Sequence, residues 1–209
     1  MTIPSCRKGD NDPFFSLKSR KSRLSGDYRI ASWAYEMNQE LDASYELDDL
    51  IVGEINGSEG TEIRTRNIGV ETFITTKEMS VSKADFEISK DGTWESEISM
   101  VSLIKYPGGG WGPIEVIETS VSKESGNWSF ILGKTEDYKS KERVLFNVLV
   151  VERGVQQTST YVSPWGDEMY TEEAPVVDSV MTYSEGIRSL VYEIDMLKNK
   201  EIVLKQNRV

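Results

Sequence analysis

The chain has no histidine and only one cysteine, and both scarcities narrow what it can do. Without an imidazole there is no Ser–His–Asp triad, no Cys–His pair and no conventional zinc site. A single thiol cannot form an internal disulfide. No apolar run reaches the roughly 18 residues that a membrane-spanning helix needs. Basic residues are outnumbered, 24 Lys and Arg against 35 Asp and Glu, for a net charge of −11. That balance argues against nucleic acid, which calls for a clustered basic surface. The one basic cluster, Lys18-Ser19-Arg20-Lys21-Ser22-Arg23, is short and near the N-terminus, and reads as a solvated linker face or membrane-proximal patch.

What is present is a chain of 209 residues, 38% hydrophobic and 10% aromatic. That suffices for one large domain or two small ones with a sizeable core. Residues 1–25 are polar and read as a flexible tether, and residues 26–209 as the folded domain. From Gly26 onward, short alternating segments are separated by Gly, Asn, Asp, Ser and Pro, the pattern of an antiparallel β protein.

Val70 to Val81 and Ala84 to Ser89 read as strands, with Ala84, Phe86 and Ile88 on one face. Asp91-Gly92 then supplies a strong hairpin signal, because such turns demand positive φ. Beyond it Trp94, Ser96, Ile98 and Met100 share a face. Ile114 to Ser122 reads as a further strand, leading through Glu124-Ser125-Gly126 into Asn127 to Leu132. Val144 to Val151 is apolar on both faces and should be central. Ile187 to Met196 and Glu201 to Gln206 form a last hairpin, Tyr192, Ile194 and Met196 mirrored by Ile202 and Leu204. Tyr35 to Leu41 could make a short helix, and residues 163–178 read as a long acidic loop. The expectation is an all-β, antiparallel up-and-down barrel of about 8–10 strands with little helix, since closure removes free edges.

Several of these pieces resemble a known family. The run Cys6-Arg7-Lys8-Gly9-Asp10-Asn11-Asp12-Pro13, followed by a polar tether and Gly26-Asp27-Tyr28, is similar to the start of lipocalin-like lipoproteins of Bacteroidetes-type bacteria. Asp91-Gly92-Thr93-Trp94, Gly126-Asn127-Trp128-Ser129-Phe130 and the stretch from Tyr192 to Lys205 resemble that family's hairpins. The resemblance implies a lipid-anchored protein of the outer membrane or periplasm, acylated on Cys6, with Ile3-Pro4-Ser5 as the end of a signal sequence. Five residues ahead of Cys6 are too few for a signal peptide's apolar core, so Met1 reads as an artificial start just upstream of the processing site. Asp10 and Asp12 resemble an export signal that places some such lipoproteins on the cell surface. Each buried acyl methylene would add about 0.8 kcal/mol, and stable anchoring takes two or more chains.

Aromatic residues in loops are the candidates for a ligand surface: Trp111 and Tyr106 lie in a Gly/Pro-rich loop, and Trp165 with Tyr161 and Tyr170 lies in or beside the acidic one. Rings of this kind suit a small apolar or glycan-like ligand. Trp33, Trp94, Trp128, Phe86 and Phe130 fall at alternating strand positions and read as core. A glycosidase-like acid pair could be drawn from Glu115, Glu118, Glu168, Glu172 and Glu173, but sequence pairs none of them. Asp10-Asn11-Asp12 and Asp167-Glu168 lack calcium-loop spacing, and Gly108-Gly109-Gly110 lacks the context of a phosphate loop. No cofactor is implied. The expected function is a non-catalytic envelope lipoprotein that holds a ligand or plays a structural part. The alternatives are an interaction subunit docking on another envelope protein through long loops, and a carboxylate-dependent hydrolase.

Overall fold

The computed structural model describes residues 20–42, 47–68, 70–106, 114–131, 143–162, 168–198 and 201–205. Its frame is a meander of four long antiparallel strands: β5 (Glu71–Ile88), β6 (Thr93–Tyr106), β7 (Ile114–Ile131) and β8 (Arg143–Val162). At 14 to 20 residues each, they run well past the usual 3–10. Two of them absorb an irregularity that the sequence presents as a break. β5 carries an extra residue, Ser82, between Val81 and Lys83, and opposite the Ser125–Gly126 step of β7 the extra residue is Leu149 of β8. Extra residues of this kind bend a strand and increase its twist without ending it. Glu124-Ser125-Gly126 is therefore no turn, and Val70–Val81 and Ala84–Ser89 fall in one strand.

The outer edges of the meander are covered piecewise. On one side β4 (Glu59–Ile68), β3 (Leu47–Asn56) and β2 (Ser32–Asp42) extend from the first part of β5, while β1 (Gly26–Arg29) pairs with its last four residues. The chain passes from β1 to β2 around the β3–β4 turn, tied by Gly57 N–H to the Ala31 carbonyl at 2.7 Å and Val81 N–H to the Ser58 carbonyl at 2.7 Å. Gly57 has φ +66° there, which its lack of a Cβ permits. On the other side three short strands line up along β8: β11 (Ser189–Lys198), β10 (Val177–Thr182) and β9 (Glu168–Glu173), with β12 (Glu201–Lys205) pairing β11.

The result is all-β and barrel-like, a twelve-stranded sheet in the order β12-β11-β8-β7-β6-β5-β4-β3-β2 that curls into a half-barrel. It has more strands than the sequence suggests. Among the described residues β2 and β12 do not pair, so the curl stops short of a ring. Tyr35 to Leu41 is an edge strand rather than a helix, and the acidic stretch 163–178 contains β9 and the start of β10. The one helix among the described residues, α1 (Arg20–Leu24), brings Leu24 fully into the core.

Directly opposed residues share a face, so the register identifies the concave side. One row runs Ile88, Trp94, Gly126, Val148, and a neighbouring one Trp128, Phe146, Leu190. Here the core is aromatic: Phe86, Trp94 and Phe146 meet pairwise at 5.4–5.6 Å between ring centroids, and Trp128 meets Phe130 edge-on at 5.5 Å. The indole N–H groups are satisfied, Trp94 by the Asn147 carbonyl at 3.1 Å and Trp128 by the Ser89 carbonyl at 2.8 Å. These strand aromatics are core, as the alternation implies, and losing such a ring typically costs about 3–5 kcal/mol. A second apolar cluster, Ile55, Met79, Val81 and Ala84, packs with Ile30, Trp33 and Met100 further along the same face.

Candidate functional site at the far end of the inner face

Past that second cluster the concave face turns polar. Three arrangements are built there, each spanning several strands.

The first begins with Gly53. Tyr35 on β2 stands opposite Gly53 on β3, which stands opposite Glu62 on β4. A Cβ on Gly53 would collide with the end of the Tyr35 ring, so only glycine lets the ring lie across β3. The Tyr35 hydroxyl then donates to the Glu62 carboxylate. Burial, and next the bond to Glu62, hold this phenol well above the ordinary tyrosine pKa.

The second crosses the long strands. Lys77 Nζ on β5 meets Glu118 Oε1 on β7 at 2.7 Å, and Gln157 Nε2 on β8 donates to Glu118 Oε2 at 2.8 Å. Burial pushes the Glu118 carboxyl up, but the hydrogen bonds from Lys77 and Gln157 with the lysine's charge outweigh it and leave the pKa lowered. Beside Glu118 in the register, the Ser102 hydroxyl is fully buried with no hydrogen-bond partner among the described residues.

The third is an arginine pair. Asp49 opens onto Arg66 directly across β3–β4 and onto Arg64 diagonally. Arg66 gives Nε to Oδ1 and Nη2 to Oδ2, both at 2.9 Å; Arg64 gives Nε to Oδ2 at 3.1 Å and Nη2 to the same oxygen. The Asp49 carboxylate is completely covered, while the arginine side chains remain 41% and 39% exposed. The hydrogen bonds of Arg66, then of Arg64, hold Asp49 far below the ordinary carboxylate range despite its burial.

Along the same face lies a row of tyrosines. Tyr106 stands opposite Ile114, Ile114 opposite Tyr161, and Tyr161 opposite Tyr170. The register of Thr76 with Lys105 carries on to bring Thr75 beside Tyr106, and Thr75 is opposite Arg64. Arginine and tyrosines thus share one cross-strand row. Tyr161 and Tyr170 stack at 4.2 Å between centroids, 14° from parallel. Tyr106 and Tyr170 are about half exposed, and Tyr106 lies close enough to Arg66 to help raise its pKa.

The structure therefore brings together Tyr106 and Tyr161, which the sequence marks by residue type alone. Cys6, Trp111 and Trp165 lie outside the described residues. The sequence reading missed Asp49, Arg64, Arg66 and Lys77. The signal was the spacing Glu62-x-Arg64-x-Arg66, since period two in a strand puts all three on one face. Of the carboxylates proposed for hydrolysis, Glu115 and Glu173 face outward by register, whereas Glu118 and Glu172 face inward. The lowered Glu118 pKa is opposite to what a general acid needs. A shallow groove of about 790 Å³ opens on the outer face, floored by Val101, Leu103 and Ile117.

Comparison with protein-family models, with curated proteins and with solved structures finds no match. Among the described residues no helix is long and apolar enough to cross a membrane, and no group of His, Cys, Asp or Glu is placed to hold a metal ion.

Proposed function

We propose that this chain is a non-catalytic binding protein of the cell envelope, anchored through a lipid on Cys6, that takes a glycan-like ligand along the tyrosine row of its inner face. The observation that carries the ligand half is the register alignment of Tyr106, Tyr161 and Tyr170, with two of the three rings half exposed. Aromatic faces over a rigid sheet present flat apolar area with polar edges, the combination that sugar rings pack against. Lys77 and Gln157, both bound to Glu118, supply hydrogen-bonding groups nearby. The anchoring half rests on the N-terminal sequence.

Titration with oligosaccharides, followed by chemical shifts of tyrosine ring protons, tests the ligand reading. Shifts confined to Tyr106, Tyr161 and Tyr170 are expected, and their absence across neutral and acidic oligosaccharides would sink it. Mass spectrometry of the protein taken from its native membrane tests the anchor, an unmodified Cys6 removing it.

A second reading has its own observation. β10 is exposed at all six positions, and Val177 and Val180 are 62% and 67% open to solvent. An unprotected apolar edge of this kind suits a protein partner. Stoichiometric recovery of one envelope protein in a pull-down from native envelopes, lost on Val180→Lys, is the outcome that favours it.

A further inference from the structure

The arginine pair specifies the ligand of that face more narrowly, resting on the binding role just proposed. Asp49 engages Nε and Nη2 of both Arg64 and Arg66, leaving the Nη1 edge of each guanidinium unused by it. Two cations share the one Asp49 carboxylate, which therefore balances only one of the two guanidinium charges. Other carboxylates share this face: Glu62, which accepts from the uncharged Tyr35 hydroxyl, Glu71, diagonal to Arg66, and Glu118, paired with Lys77, so what the arginine pair offers an anion is directed N–H donors. Fixed forks with free edges are a preorganised clamp for a planar anion, because the rotamer entropy of the arginines is already lost in holding Asp49.

Position completes the argument. Arg64 shares its row with Tyr106 and Tyr161, five strand spacings from Tyr170, which is about 24 Å at the usual separation. A single small anion would use the arginines and leave the tyrosines idle. A neutral sugar chain would do the reverse. We infer that the ligand is an acidic oligosaccharide, one whose sugar rings lie along Tyr106 and the Tyr161–Tyr170 stack while a ring carboxylate is held by the free edges of Arg64 and Arg66.

The test uses calorimetry on the whole chain with three probes: a hexagalacturonate, the same oligomer methyl-esterified, and free galacturonate. The acid oligomer should bind at least about tenfold tighter than its ester, with the margin narrowing as salt is raised. Free galacturonate should bind far more weakly than the oligomer, since it cannot reach the tyrosines. In Arg64→Lys, which keeps the charge beside Asp49 but loses the fork, the acid-to-ester ratio should fall to about threefold or less. That ratio is taken within one protein, so a stability loss in the variant does not mimic it. Equal binding of acid and ester overturns the acidic ligand and leaves the glycan reading standing. Failure of both oligomers to bind overturns both.

Discussion

The ring of Tyr35 occupies the space over Gly53 where any other residue would put its Cβ, and from there it reaches the Glu62 carboxylate one strand further in. A glycine at this point weakens an edge-proximal strand by itself, and the tyrosine restores the missing cover. Gly53→Ala should displace the ring, break the bond to Glu62 and cost about 1–3 kcal/mol in denaturant unfolding. Tyr35 holds its proton to higher pH when folded, so its contribution is present below the unfolded value near 10 and is lost as pH rises beyond it. Tyr28, Tyr170 and Tyr192 are also held above the ordinary value, so ultraviolet titration should show several late-ionising tyrosines in the parent and one fewer in Gly53→Ala.

Asp49 gives the opposite pH dependence. Its folded pKa is depressed, so its stabilisation is present above the unfolded value of about 4 and is lost as pH falls below it. Asp49→Asn should destabilise the protein by about 2 kcal/mol at pH 7, less than a fully buried pair would because both arginines are part-exposed. Between pH 5 and 2 the variant's stability should fall less steeply than the parent's, measured by urea midpoints across that range.

Trp94 fills the core and gives its indole proton to the Asn147 carbonyl. Trp94→Phe keeps most of the ring but loses the hydrogen bond to that carbonyl, and should cost about 2–3 kcal/mol. Trp33→Phe, at a half-buried position, should cost about 1 kcal/mol or less. Near-equal losses in chemical denaturation would contradict the assignment of Trp94 to the centre of the core.

At the second bulge, a Cβ on Gly126 would overlap the Asn147 backbone carbonyl. Because the obstacle is main chain, it cannot swing aside. Gly126→Ala should cost about 3 kcal/mol, at the upper end for overpacking, whereas Gly186→Ala, which meets nothing in space but has φ +85°, should cost about 1 kcal/mol. Thermal melts of the two variants would separate steric from conformational cost.

The contrast at Gly126 shows what was and was not legible in the sequence. The Asp91-Gly92 turn, the inward alternation of Trp94 to Met100 and the existence of the final hairpin could be read directly, because each depends on residues close in the chain; within that hairpin a bulge between Ile194 and Met196 puts Leu197, not Met196, into the core opposite Ile202. Gly126 carries the same letter as a turn glycine, yet serves close approach to β8, a reason visible only once Asn147 is opposite. The strands β9 and β10 looked like loop because edge strands tolerate charge and have little to bury. Tyr35 to Leu41 looked helical for a related reason, since an edge strand open to water has no need of strict alternation. In the candidate site, Tyr106 and Tyr161 could be marked by residue type. That they share a row with Arg64 depends on successive strand pairings, Arg64 with Thr75, Tyr106 with Ile114 and Ile114 with Tyr161 among them, which no local pattern encodes.

One margin of β8 is shared out among β11, β10 and β9 in turn, and none of these hands its hydrogen bonds to the next. The long strand is therefore a spine to which separate short ribs attach. β10 and β9, unlike β11 with its core residues Ile194 and Leu197, can detach without unzipping the meander, so solvent exchange of amides should reach residues 168–182 long before it reaches β6 or β7. A molecule built this way can yield at its rim, next to the tyrosines, while its aromatic heart stays shut.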